Sequence, residues 1–188
     1  RIINMSKQHD QVSKFLSFVL RHQPQAIGLM LDSEGWADIN QLITRAASAG
    51  QCLNIPLLQL VVDSSDKKRF AISDDGLRIR AVQGHSSRQV DIQYQERIPP
   101  ESLYHGTATR FIDSINHNGL VAGNRQYVHL SADELTAISV GQRHGKPVVL
   151  MVNALLMYQQ GFKFYQADNG VWLTAYVPAE FLSTNLNI

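Results

Sequence analysis

Apolar and polar positions in the first half of the chain alternate with helical spacing and are cut by sharp turn signals. In the segment SKFLSFVLRHQP (residues 13–24), Phe15, Leu16, Val19 and Leu20 share one helical stripe. Pro24 forbids continuation past Gln23, so Arg21 and His22 fall in the last turn. By position alone, these two cations complement the exposed carbonyls of a helix C-terminus. An apolar run at 27–31 leads to the turn Asp32-Ser33-Glu34-Gly35 and then to Trp36. Asp38 caps a second helix to about Ala49, with Ile39, Leu42, Ile43 and Ala46 on one face and Gly50 as its stop. Asn54 and Pro56 open a third, apolar helix to about Ser64. Two short strands, 69–73 and 77–82, flank Asp74-Asp75-Gly76 as a hairpin. Three helices followed by a β-ribbon is the order of a winged-helix module, a shape that serves nucleic-acid binding and protein interaction alike.

Beyond the hairpin, residues 83–87 are polar and 88–94 alternate like a further strand. Pro99-Pro100 marks the expected boundary, which divides the chain into lobes 1–98 and 99–188. In the second lobe short strands are expected at 103–105, 127–130, 148–152 and 171–174, with helices at 110–118, 133–141 and 154–160. The expected class is α+β throughout.

Composition narrows the setting. At 188 residues the chain suffices for two small cores, and no apolar run reaches membrane-spanning length. The single cysteine, Cys52, rules out an internal disulfide framework. With no signal-peptide-like apolar segment at the start, a cytoplasmic location is expected, with no membrane partner; a monomer is taken as the default, since the sequence does not reveal the oligomeric state. Residues 1–4, ahead of Met5, are expected to be a frayed start without function. Residues 1–100 hold 12 Lys/Arg against 10 Asp/Glu, and the remainder holds 5 against 6. So mild a basic excess makes contact with nucleic acid a matter of a few placed arginines, not of a broad field.

Several common chemistries have no motif here: no dinucleotide fingerprint, no phosphate loop, no serine-nucleophile elbow and no paired-histidine metal helix. The seven histidines are scattered, so no metal is expected. What remains is polar residues at strand ends. His105, with Gly106 and Thr107 after it, reads as a strand end and tight turn where a ligand approaches the backbone. His129 with Ser131 repeats the device, and Gly170 with Val171 opens a third strand. Each is also what a hydrogen-bonded residue in an ordinary sheet looks like, but three in one lobe point to a cleft for a polar ligand. Arg69, Arg78, Arg80, Arg125 and Arg143 lie at element ends or on strand faces, where a planar donor fork suits phosphate, whereas Lys67-Lys68 reads as a solvated face.

Taken in order, SKFLSFVLRHQP, IGLMLDSEGW, KKRFAIS, IRAVQGHS, YHGT, YVHLSAD and NGVWLT resemble the NAD-dependent RNA 2′-phosphotransferases in their bacterial form, across residues 13–182. The resemblance implies a winged-helix-like N-terminal lobe that grips RNA and a C-terminal lobe of ADP-ribosyltransferase fold that holds NAD as co-substrate. Its triad would read His105, His129 and Val171, with no glutamate at the third place. The implied reaction begins with attack of an internal RNA 2′-phosphate on C1″ of the nicotinamide ribose, expelling nicotinamide. The ribose 2″-hydroxyl then attacks phosphorus, releasing 2′-hydroxyl RNA and ADP-ribose 1″,2″-cyclic phosphate.

By the same resemblance the catalytic quartet is Arg21, His22, Arg69 and Arg125, the arginines on phosphate and His22 in the second, proton-transferring step. Expected NAD contacts are His105, Gly106, Thr107, His129, Ser131, Arg143, Gly170 and Val171. Arg80, Gln83, His85 and Ser86 are assigned to the RNA side or the lobe junction. The RNA itself, tRNA-like or other, is left open. Two other readings stay on the table: an ADP-ribosyltransferase for terminal nucleic-acid phosphates or a small molecule, and a winged-helix nucleic-acid binder that senses NAD.

Overall fold

In a computed structural model, which describes residues 2–65, 68–87 and 89–184 (residues 2–7 by backbone alone), the chain divides into two compact units, Arg1–Gln93 and Tyr94–Ile188. The class is α+β, as expected. Among the described residues no helix is long and apolar enough to cross a membrane.

The first unit begins with helix α1, Ile2–Ser17, which starts well before Ser13 and takes in residues 2–4 of the expected frayed start. At its end the chain widens into a single π-turn, Phe18–His22, closed by Gln23 N donating to Phe18 O at 2.9 Å. A two-residue strand β1, Ala37–Asp38, precedes helices α2, Ile39–Ser48, and α3, Ile55–Asp63. Both helices begin where the caps predict: Asp38 accepts from Gln41 N at 2.7 Å and Asn54 from Leu57 N at 2.8 Å. Strands β2, Phe70–Ile72, and β3, Arg78–Ala81, form the expected hairpin, and β1 pairs with the free side of β3, giving the antiparallel order β1-β3-β2. Leu16, Val19, Leu20, Leu42, Leu58, Phe70 and Ile79 make the core under these elements.

The strand expected at 88–94 does not form among residues 89–94, and Arg88 lies outside the described residues. The alternation is real, since Val90 and Ile92 are buried. Amides of this segment, however, bond to loops: Val90 N to Ser87 O at 3.4 Å and Asp91 N to Ser33 O at 2.8 Å. An extended segment pinned this way has no ladder to join.

The second unit holds strands β4, Gln95–Glu96, and β5, Ser102–Ala108, then helix α4, Ile112–Asn118, and strands β6, Leu120–Val121, and β7, Val128–Leu130. Helix α5, Glu134–Gly141, strand β8, Pro147–Asn153, and helix α6, Ala154–Gln159, follow. Strands β9, Phe164–Gln166, β10, Trp172–Thr174, β11, Tyr176–Val177, and β12, Leu182–Thr184, complete it. They assemble into antiparallel sheets ordered β4-β9-β10-β7 and β12-β8-β5, plus the pair β11-β6. Leu103, Leu130, Leu150, Val152, Met157 and Phe164 fill the core of this unit.

Candidate functional site

In the first unit, Val19 and Leu20 are fully buried and anchor the π-turn; of the residues that follow, Arg21 is half-buried and His22 is exposed. A π-turn adds one residue to the helical repeat and changes the direction in which the last side chains leave the axis, an arrangement enriched at functional sites. The chain after β3 straps this turn from the side. Ser86 N donates to Arg21 O at 2.9 Å, and Ser86 Oγ lies 3.0 Å from His22 Nδ1. Gly84, at φ +88°, passes so close that a Cβ there would stand 3.6 Å from Arg21 Cδ.

Arg21 also lies over the Phe70 ring, with its Cζ 5.8 Å from the centroid. Arg69 directly precedes that ring, so one buried aromatic brings both arginines to the start of β2. Arg69 is tied to helix α1 by Nη1 donating to Ser13 Oγ at 3.4 Å, and to the hairpin by Val82 N donating to Arg69 O at 3.1 Å. The structure therefore gathers Arg21, His22, Arg69 and Ser86 around the end of one helix.

Two of the residues assigned to the RNA side or the lobe junction, Arg80 and His85, are held inside the first unit. Arg80 braces the Asp32–Trp36 turn: its Nη1 donates to Glu34 O at 3.3 Å and stands 3.5 Å from the Glu34 carboxylate, with Cζ 4.6 Å over the Trp36 ring. His85 is only 2% exposed, its ring so close to Gly35 that a Cβ there would stand 3.0 Å from Nε2. Burial, reinforced by Arg21, Arg80 and His22, pushes His85 down to about 4, so it is neutral at physiological pH. Gln83 lies half-buried at the start of the strap.

In the second unit the histidines are held by the sheets. Val128 and Leu130 point into the core, so His129 between them faces the other side of the sheet, in a row with Leu173 and Tyr165 on neighbouring strands. Tyr104 and Ser131 exchange backbone hydrogen bonds at 2.9 and 2.7 Å, which lays β5 beside the end of β7. There His105 Nδ1 lies 3.1 Å from His129 O. A carbonyl only accepts, so Nδ1 carries the proton. Burial lowers the His105 pKa, against the partial support of that bond, and His144 and Arg125 lower it further. The ring is thus neutral, with Nε2 as an acceptor. Arg125 Nη1 in turn donates to His129 Nδ1, and burial lowers the Arg125 pKa.

The expected turn at Gly106 is absent, because β5 runs on to Ala108. Gly106 is glycine for another reason. A Cβ there would stand 1.7 Å from Ala137 O, and one on Gly141 would stand 2.6 Å from Thr107 O. Helix α5 lies directly on β5 at these two glycines, burying Thr107 to 5% exposure. Close packing of the helix on the strand requires glycine at both positions. It also sets the turn Gln142–His144, with exposed Arg143, against β5, so that His144 acts on His105. Gly170, at φ +82°, closes the hairpin turn from β9 to β10, where Ala167 N donates to Val171 O at 2.9 Å.

Sequence reasoning missed Ser13, Phe70 and Trp36 as supports of the arginines, since each contact joins residues far apart in the chain. Among the described residues, no group of three His, Cys, Asp or Glu side chains could hold a metal ion.

Comparison with known proteins adds an independent line. A protein of Pectobacterium carotovorum subsp. carotovorum (strain PC1) shares 67% identity over 177 residues, covering 94% of this chain and 95% of its own. One from Pectobacterium atrosepticum shares 64% over 178 residues, 95% of this chain and 99% of its own, and one from Shigella boydii serotype 18 shares 61% over 176 residues, 94% and 96%. Each carries the name Probable RNA 2′-phosphotransferase. Residues 7–176 match the family described as RNA 2′-phosphotransferase, Tpt1 / KptA, and the chain belongs to that family of enzymes.

Proposed function

We propose that this chain removes an internal 2′-phosphate from RNA and transfers it to NAD, by way of ADP-ribosylated RNA, releasing nicotinamide, 2′-hydroxyl RNA and ADP-ribose 1″,2″-cyclic phosphate. The observation that carries the reading is family membership over residues 7–176, joined to the placement of Arg21 and His22 together on a braced π-turn.

In this reading the first unit is a winged-helix-like RNA lobe. The element order helix, strand, helix, helix, strand, strand, with β1 closing the ribbon, supports it. The second unit is the NAD lobe of ADP-ribosyltransferase type, supported by two antiparallel sheets that meet at His105, His129 and Ser131. NAD suits the groups present. Neutral His105 offers Nε2 as an acceptor to a ribose hydroxyl, Ser131 and Val171 flank the same sheet, and Arg143 supplies a permanent charge for phosphate. NAD supplies an activated ribose when bound.

Arg21, Arg69 and Arg125 neutralise the reacting phosphate, which enters already anionic and needs no base for its attack. His22 serves the second step, where the 2″-hydroxyl loses a proton and the departing RNA 2′-oxygen gains one. Acceptor choice is the part of the reading most open to test. Oligoribonucleotides identical except for an internal 2′-phosphate, a 5′-phosphate or a 3′-phosphate are incubated with the protein and NAD. Turnover is expected on the 2′-phosphate alone; stable ADP-ribosylation of a terminal phosphate supports the transferase reading instead, and binding without nicotinamide release supports a sensor.

A further inference from the structure

Ser86 stands out once the strap over the π-turn is seen whole. Its backbone is fixed by the 2.9 Å bond from Ser86 N to Arg21 O. Its flanks are fixed as well: His85 is buried against Gly35, and Gly84 packs on the Arg21 side chain. The hydroxyl that contacts His22 Nδ1 at 3.0 Å is therefore carried on a rigid segment, 64 residues away in sequence from the ring it touches. A ring gripped at one nitrogen by such a group has its rotation about the Cβ–Cγ bond restricted and its second nitrogen aimed.

We propose that Ser86 is the positioning residue of His22: its hydroxyl holds Nδ1 and so assigns the proton transfer of the second step to Nε2. The inference rests on the reading of His22 given above. In that step the 2″-hydroxyl gives up its proton as the O2″–P bond forms, the bond from phosphorus to the RNA 2′-oxygen breaks, and that oxygen takes a proton; Nε2 accepts the first proton and returns one to the leaving oxygen. A hydroxyl suits this traffic because it both donates and accepts. It takes a hydrogen bond from Nδ1–H in the imidazolium and stays bonded to either neutral tautomer, whereas a carboxylate partner favours the charged ring. Ser86 thus keeps the ring in place through both halves of the transfer.

The test follows the two steps separately. Wild-type protein, Ser86→Ala, the shape-matched pair Ser86→Thr and Ser86→Val, and His22→Ala are each given NAD and a 2′-phosphorylated oligoribonucleotide. Nicotinamide release reports the first step, and decay of ADP-ribosylated RNA the second. Ser86→Ala keeps the backbone bond to Arg21, so the loss is confined to the hydroxyl. Its first step is expected within about twofold of wild type and its second slowed about tenfold, the scale of one hydrogen bond, so that ADP-ribosylated RNA accumulates. Ser86→Thr restores the second step and Ser86→Val does not. In the free protein, the ¹⁵N resonance of His22 Nδ1 is expected to shift in Ser86→Ala and return in Ser86→Thr. Equal slowing of both steps, or none, with an unmoved His22 signal overturns the role of Ser86 even if His22→Ala accumulates the intermediate. Wild-type passage of both steps by His22→Ala overturns the reading of His22 itself.

Discussion

The two units hold their histidines by opposite means. In the first, His22 hangs from a helix end and is steadied by a serine hydroxyl on an irregular strap. In the second, His105 and His129 sit in strands and are tied by a backbone carbonyl and by the register of the sheet. The consequence is a difference in what a substitution costs. Side chains around His22 can change with little loss of fold, because the core of that unit is Leu16, Val19, Leu20 and their neighbours, below the site. Around His105 the site and the fold are the same object, since Gly106 and Gly141 let α5 rest on the strand that carries the histidine.

The sharpest break between the units is expected from His22→Ala. On the role proposed for His22, its loss should cost about 10²–10⁴ in turnover, leaving the unfolding midpoint within a degree or two of wild type. Parallel activity and thermal-melt measurements check this. Gly106→Ala makes the converse case. A Cβ placed 1.7 Å from a backbone oxygen forces the helix off the strand, for an expected loss of about 3 kcal/mol or more in the second unit. The chain's two tryptophans fall one in each unit, Trp36 and Trp172, so fluorescence of Trp172→Phe and Trp36→Phe backgrounds follows each unfolding transition separately. The Trp172 transition should drop and the Trp36 transition hold.

Acid should act on both units in the same direction, with a known window in the first. His85 has its pKa lowered to about 4 in the folded protein, below the unfolded value of 6.5, so its contribution is fully present above pH 6.5. It is lost as pH falls from 6.5 towards 4, up to about 3 kcal/mol in all. Urea unfolding followed by Trp36 at pH 7 and pH 4.5 measures the loss, and His85→Leu should flatten it. The smallest expected effect is that of the caps. Asp38→Ala and Asn54→Ala each remove a bond to an orphan amide and should cost the first unit about 1 kcal/mol, visible in the Trp36 transition alone.

Legibility in the sequence divides along the same line. Helices α2 and α3 were readable because Asp38 and Asn54 bond amides three residues on, so the signal is local. Strand β1 was not, since a two-residue strand is defined only by its distant partner β3. Residues 89–94 misled because burial of Val90 and Ile92 imitates a ladder that the backbone never joins. Gly106 misled in the other direction: a glycine beside a threonine reads as a turn, but the reason for it is a helix 31 residues later, at Ala137. At the site, the proline placed Arg21 and His22 in the last turn of a helix, where they read as ordinary cations of a helix end, and only the family resemblance gave them a role. The π-turn, the Phe70 ring under Arg21 and the Ser86 hydroxyl depend on three-dimensional closure and left no local mark.

One measurement bears most directly on the central claim. An oligoribonucleotide carrying a radiolabelled internal 2′-phosphate is incubated with the protein and NAD, and nicotinamide and the labelled products are quantified together. The account predicts one nicotinamide released for each phosphate lost, with all of the label recovered in ADP-ribose 1″,2″-cyclic phosphate and the RNA left with a 2′-hydroxyl. Label that stays on the RNA without nicotinamide release, or that appears as inorganic phosphate independently of NAD, contradicts it.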